Sequence, residues 1–132
     1  MTVLEESFRQ FTKSVDDFGR VHLPEQFVVF QKKIALEVFV RVVRRTPVDT
    51  GRARGGWQIS IDNIPSEETG STSAPGENEA LSALAGLGQN QTVFISNNVP
   101  YILFLEEGSS TQAPNGMLAL ALQDVEMAFG GK

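Results

Sequence analysis

The triplet Asp49-Thr50-Gly51 is the most enzyme-like feature of the chain, because the same three residues form the catalytic turn of aspartic proteases, where two such aspartates share a proton. In those enzymes the triplet follows a strand of a β-rich domain. Here it follows Pro47, where an apolar helical pattern stops, so Asp49 reads first as a turn residue, with a peptide-cleaving dimer as the minor alternative. Four arginines crowd the same stretch, Arg44, Arg45, Arg52 and Arg54, with Arg41 one turn upstream. Such a cluster can hold phosphates, and its affinity would fall steeply with salt. The chain as a whole is acidic, however, with a net charge of −5, and it lacks interleaved exposed aromatics on which bases could stack. The arginines are therefore expected to pair with acidic groups of a neighbouring subunit. The carboxylates of Asp16-Asp17, Glu67-Glu68 and Glu106-Glu107 are adjacent in sequence and would diverge on a helix, so they read as solvated charges. His22 is the sole histidine and there is no cysteine, which excludes disulfides and thiolate metal sites. Neither a phosphate-cradling glycine loop nor a nucleophile elbow nor a zinc spacing is present, so no catalytic, cofactor or metal residues are expected.

The elements that must position this corner follow from periodicity. Thr2 and Glu5 have capping-box spacing, and Leu4, Phe8, Phe11, Val15 and Phe18 recur at helical steps, which predicts an N-terminal helix ending near Gly19. Its phenylalanine stripe is expected to lie on the core or to dock on another subunit. Pro24 suits the first turn of a second helix that runs to about Thr46, roughly 30 Å at 1.5 Å per residue. Phe27, Phe30, Ile34, Val38 and Val42 form its apolar face. Pro47 halts it, and Pro47 to Gly51 make a compact turn. The period then becomes two, with Trp57, Ile59 and Ile61 on one face of a strand over 55–62. Residues 63–78 have no hydrophobic period and many turn-formers, which predicts a flexible acidic loop lying against a neighbour.

Beyond the loop, Asn78 is placed to cap a short helix carrying Leu81, Leu84 and Leu87. Gln91 to Ser96 reads as a second strand that should pair with the first. Pro100 opens a short helix whose Tyr101, Phe104 and Leu105 should face the core. Ser109 to Pro114 fits a strand or a loop equally. Asn115 should cap the last helix, buried through Leu118, Ala121, Leu122, Val125, Ala128 and Phe129.

Together these elements predict one α+β domain over 1–132: a small antiparallel sheet packed against a long helix and a C-terminal helix, with an extra N-terminal helix and a long flexible acidic loop. A chain of 132 residues that is 41% hydrophobic can furnish a modest core. The start lacks a basic region followed by an apolar run, and no stretch approaches the roughly 20 apolar residues of a membrane span, so a soluble protein made in the cytoplasm is expected. A sheet this small leaves an edge strand unpaired, which invites protection or pairing between subunits.

Four stretches taken in order carry a family likeness: Thr46-Pro-Val-Asp-Thr-Gly-Arg52 with Trp57 beyond it, Val93-Phe-Ile-Ser-Asn-Asn-Val-Pro-Tyr101, Leu105-Glu-Glu-Gly108, and Pro114-Asn-Gly-Met-Leu118. They resemble the minor tail-component or tail-completion proteins of long-tailed bacteriophages, over about Gln26 to Val125. The resemblance implies a structural, non-enzymatic protein of the virion neck, assembled in the host cytoplasm. It would form a ring at the head-proximal end of the tail and join tail to capsid. The implied partners are copies of itself, connector and tail-tube proteins and, as a further option, DNA passing through the lumen; no membrane, cofactor or small-molecule substrate is implied. A tail terminator that caps tube polymerisation is the alternative within the same class. The N-terminal helix and the acidic loop are the least family-like parts. The residues expected at interfaces are Arg44, Arg45, Arg52, Arg54, Glu67, Glu68, Phe8 and Phe11.

Overall fold

The computed structural model describes residues 3–21, 23–48, 51–107 and 116–129. In chain order the elements are α1 (Val3–Val21), α2 (Pro24–Arg45), α3 (Arg52–Gly55), β1 (Trp57–Ile61), α4 (Glu77–Leu84), β2 (Val93–Asn97), α5 (Ile102–Glu106) and α6 (Leu118–Phe129). The fold is α+β, with a small antiparallel sheet packed against helices.

Helix α2 is the axis of the molecule because its apolar residues fall four apart in two adjacent rows. Ile34, Val38 and Val42 form one row, Ala35, Phe39 and Val43 the other, and all six are buried. Each such Val, Ile or Phe side chain contributes about 1.5–3 kcal/mol on full burial. One cluster joins Phe39, Val42 and Val43 to Trp57, Ala80, Met117 and Ala121, with Ile102 and Leu105 against it. A second joins Ile34 and Val38 to Leu122 and Val125 of α6, with Leu4, Phe11 and Phe129 at its border. Helix α2 thus touches α4, α6 and both strands, while α1 lies on α6.

The strands pair with Trp57 opposite Asn97, Ile59 opposite Ile95 and Ile61 opposite Val93. Asp62 closes the ladder in the left-handed region at φ 65°: its N–H donates to the Thr92 carbonyl at 2.7 Å, and its carboxylate accepts the Thr92 N–H at 2.9 Å. A short polar residue tolerates this conformation because its side chain compensates locally.

Several local expectations need correction. Helix α1 continues past Gly19 to Val21. One helical turn, α3, occupies 52–55, so the strand begins at Trp57 and not at Gly55. Helix α4 starts at Glu77 after Gly76, placing Asn78 inside its first turn, and its buried row is Ala80 and Leu84 while Leu81 is exposed. In α5 the residues on the core are Ile102 and Leu105, whereas Phe104 is 65% exposed. In α6, Ala119 is buried and Ala128 is exposed. The loop over 63–76 has no regular structure. His22, Asp49, Thr50, Ser109 to Pro114 and Asn115 lie outside the described residues. No helix among the described residues is long and apolar enough to cross a membrane.

Candidate functional site

Pro47 cannot continue a helix, so the last carbonyls of α2 need partners from elsewhere. Arg54 supplies them: its Nε and Nη2 donate to the Thr46 carbonyl at 3.0 and 2.8 Å, and Nη2 also donates to the Arg44 carbonyl at 2.9 Å. Thr46 is 1% exposed. Its hydroxyl donates to the Val42 carbonyl at 2.6 Å and accepts the indole Nε1–H of Trp57 at 2.8 Å. The end of α2, the turn α3 and the start of β1 are therefore joined through one buried hydroxyl and one guanidinium.

Arg41, Arg45 and Arg52 are also engaged within the chain. Arg45 donates through Nε and Nη2 to Asp124 Oδ2 at 2.9 and 2.7 Å, linking α2 to α6. Arg41 pairs with Glu37 one turn back at 2.6 Å. Arg52 makes a bidentate pair with Glu68, Nε to Oε1 at 2.8 Å and Nη2 to Oε2 at 2.7 Å, and lies over the Tyr101 ring at 5.7 Å. The hydrogen bond from Arg52 holds the Glu68 carboxyl below its ordinary pKa, and the same bond raises the Arg52 guanidinium above its own. Arg44 is exposed and has no ion-pair partner among the described residues.

Around the Arg52–Glu68 pair the acidic loop is fastened by main-chain contacts. Gln58 Nε2 donates to the Glu67 carbonyl at 2.8 Å, Asn98 Nδ2 donates to the Pro65 and Glu67 carbonyls at 2.8 and 3.0 Å, and Thr69 Oγ1 donates to the Gly55 carbonyl at 2.7 Å. Gly51 and Gly55 make this approach possible, since a Cβ on either would collide with the carbonyl oxygen of Thr72 or Ser71. The Glu67 side chain points to solvent without an ion-pair partner among the described residues.

Between loop and corner lies a depression of about 500 Å³ lined by Arg52, Glu68, Thr69, Ser71 and Tyr101. A phosphate entering it would have to displace Glu68 from the guanidinium. The arrangement closes charge into pairs, which suits cohesion and contact better than anion capture. Phe8 and Phe11 are remote from the corner: they project from α1 into an apolar cleft between α1, α2, β2 and α6, with Phe8 46% exposed at its lip.

Sequence reading missed three residues that hold this frame. The Glu106 carboxylate accepts the N–H groups of Met117, Leu118 and Ala119 at 3.1, 2.7 and 3.0 Å, and so caps α6. Asn97 donates to the Ala53 carbonyl at 2.8 Å and accepts the Val99 N–H at 3.0 Å. Asn98 fastens the loop. The doublets Glu106-Glu107 and Asn97-Asn98 were the only signal, and nothing in their spacing identified the distant partner. Among the described residues no group of three or more His, Cys, Asp or Glu could hold a metal. In comparisons with known proteins, no family model, no curated protein and no solved structure matches the chain.

Proposed function

We propose that the chain is a structural protein of the neck of a long-tailed bacteriophage, acting by contact in a ring at the head-proximal end of the tail. One observation carries the reading. The described residues of the four separated stretches that resemble tail-completion proteins are joined by contact: Trp57 stands opposite Asn97, Asn97 holds Ala53, and Glu106 holds Met117, which packs in the cluster with Trp57. A frame held by contacts among these stretches suits a protein that acts by its shape. Surfaces outside the likeness, α1 and the loop, would then carry the contacts particular to this protein. A heterologous contact repeated about an axis closes into a ring, and such a ring fits either a tail-to-capsid joint or a terminator of the tube.

Electron microscopy of particles from a phage lacking this protein tests the proposal. Complete tails and filled heads that fail to join are expected. Tubes of uncontrolled length would favour the terminator, and normal virions would refute both. Hydrolysis of peptides by the purified chain, lost on Asp49→Asn, would replace the reading with the protease alternative.

A further inference from the structure

The Asp62 N–H to Thr92 carbonyl bond sets the phase of the ladder: hydrogen-bonded pairs alternate, so Ser60/Phe94 and Gln58/Ser96 exchange bonds while Ile61/Val93 and Ile59/Ile95 do not. The main-chain N–H and C=O of Val93 and Ile95 therefore point away from β1. The neighbouring member of that outward set, the Gln91 carbonyl, accepts Gln31 Nε2 of α2 at 3.1 Å. No hydrogen-bonding group among the described residues takes those of Val93 and Ile95. They open on the apolar cleft. Val93, Phe94 and Ile95 all line it, and three consecutive strand residues can share one cavity only where the cavity faces the strand's edge.

The cleft has a volume of about 370 Å³, with Phe11 and Ile34 at its walls and Phe8 at its lip. Among the described residues Gln31 is its only polar lining residue and no charged residue lines it, so a charged side chain entering would lose hydration without a partner there. We propose that this edge is a strand-addition site, and that its occupant is an extended segment of a different polypeptide with uncharged apolar residues at alternate positions. Main-chain bonds to Val93 and Ile95 would give the binding energy, and the cleft would select the side chains. Residues 1–2, 22, 49–50, 108–115 and 130–132 of this sequence, which lie outside the described residues, contain no two large apolar residues two positions apart, so none of them supplies that pattern. The inference stands without the virion reading, since it rests on the ladder and the cleft alone.

The test uses the whole purified chain and a short fluorescent peptide of alternating threonine and valine with lysine ends. Saturable binding is expected, with the Val93 and Ile95 amides becoming protected from hydrogen exchange. N-methylation of one alternate set of peptide amides should weaken binding at least about tenfold, while methylation of the other set leaves it unchanged, because only one set faces the edge. Val93→Pro, which removes an outward N–H at a position where edge strands tolerate proline, and Phe8→Glu at the lip should each weaken binding at least about tenfold with the circular dichroism spectrum retained. Equal binding of both methylated peptides, or no saturation at millimolar peptide, would overturn the proposal. So would a dimer of the chain that Val93→Pro dissolves, since the occupant would then be a second copy.

Discussion

Thr46 does more than its size suggests, because one buried hydroxyl satisfies both an orphan carbonyl of α2 and the indole N–H of Trp57. Thr46→Val keeps the shape and leaves the indole donor without a partner, a loss of about 1–3 kcal/mol. Thr46→Ser should recover most of it. Urea unfolding followed by Trp57 emission reads this directly, since Trp57 is the only tryptophan. Glu68 makes a second residue-scale prediction. Its carboxyl is held below the ordinary value of 4.5, so the Arg52 latch contributes fully above that pH and is lost as pH falls through the lower folded value. Acidification should therefore lower the protection of the 67–73 amides, measured against their intrinsic exchange rates at each pH, before the core opens, and Glu68→Gln should lower it in the same way at neutral pH. The core exchanging together with the loop in the wild type would show that the latch is not separable. Asp49, Thr50 and Gly51 attract attention as a triplet, yet the described member, Gly51, serves the close passage of Thr72. What marked the stretch in sequence was a motif, and what its glycine does depends on a loop that arrives some twenty residues later.

The start of α6 shows how one element depends on another. Glu106, at the end of α5, aims its carboxylate at three unpaired amides, where the helix dipole also favours negative charge. Glu106→Gln should cost about 1 kcal/mol. Gly116 stands beside it at φ 92°, and a Cβ there would meet Glu106 Oε2 at 2.6 Å. Gly116→Ala should cost more, about 1–3 kcal/mol from the backbone alone. Because the added methyl displaces the same carboxylate, the double variant should be less destabilised than the sum of the two singles, and thermal unfolding of the four proteins measures the difference. Strict addition would mean that glycine and cap act separately. The long helix, both strands and the last helix were legible because their apolar residues repeat at fixed steps, and Pro47 punctuates them. Helix α3 was not, since four residues with two arginines and a terminal glycine carry no period. The burial order in α5 was also hidden: a five-residue helix beside Pro100 leaves its rotation to the packing of Ile102 and Leu105 against the cluster that contains Trp57 and Met117.

At the scale of the whole molecule, the question is which charges remain for partners. Arg41, Arg45, Arg52 and Arg54 each hold an acidic group or a carbonyl of their own chain, so removing any of them disturbs the fold as well as whatever lies outside it. The acidic residues divide in the same way. Glu68 belongs to the latch, whereas Glu67 is exposed beside it, and Glu77 and Glu79 stand in the first turn of α4. Exposed carboxylates act on a partner mainly through the rate and salt dependence of encounter, and they contribute little to the isolated domain. If the chain works in the neck, as proposed, and its loop meets a basic surface there, neutralising Glu67, Glu77 and Glu79 to glutamine should leave unfolding nearly unchanged, apart from a few tenths of a kcal/mol at the α4 terminus. It should nonetheless slow head-to-tail joining in a complementation assay, most strongly at low ionic strength. Glu68→Gln should show the opposite balance, with a loosened loop first and a joining defect that follows from it. Normal joining by the triple variant at every salt concentration would remove the loop's charge from assembly, and the α1 face with its cleft would become the surface to test next.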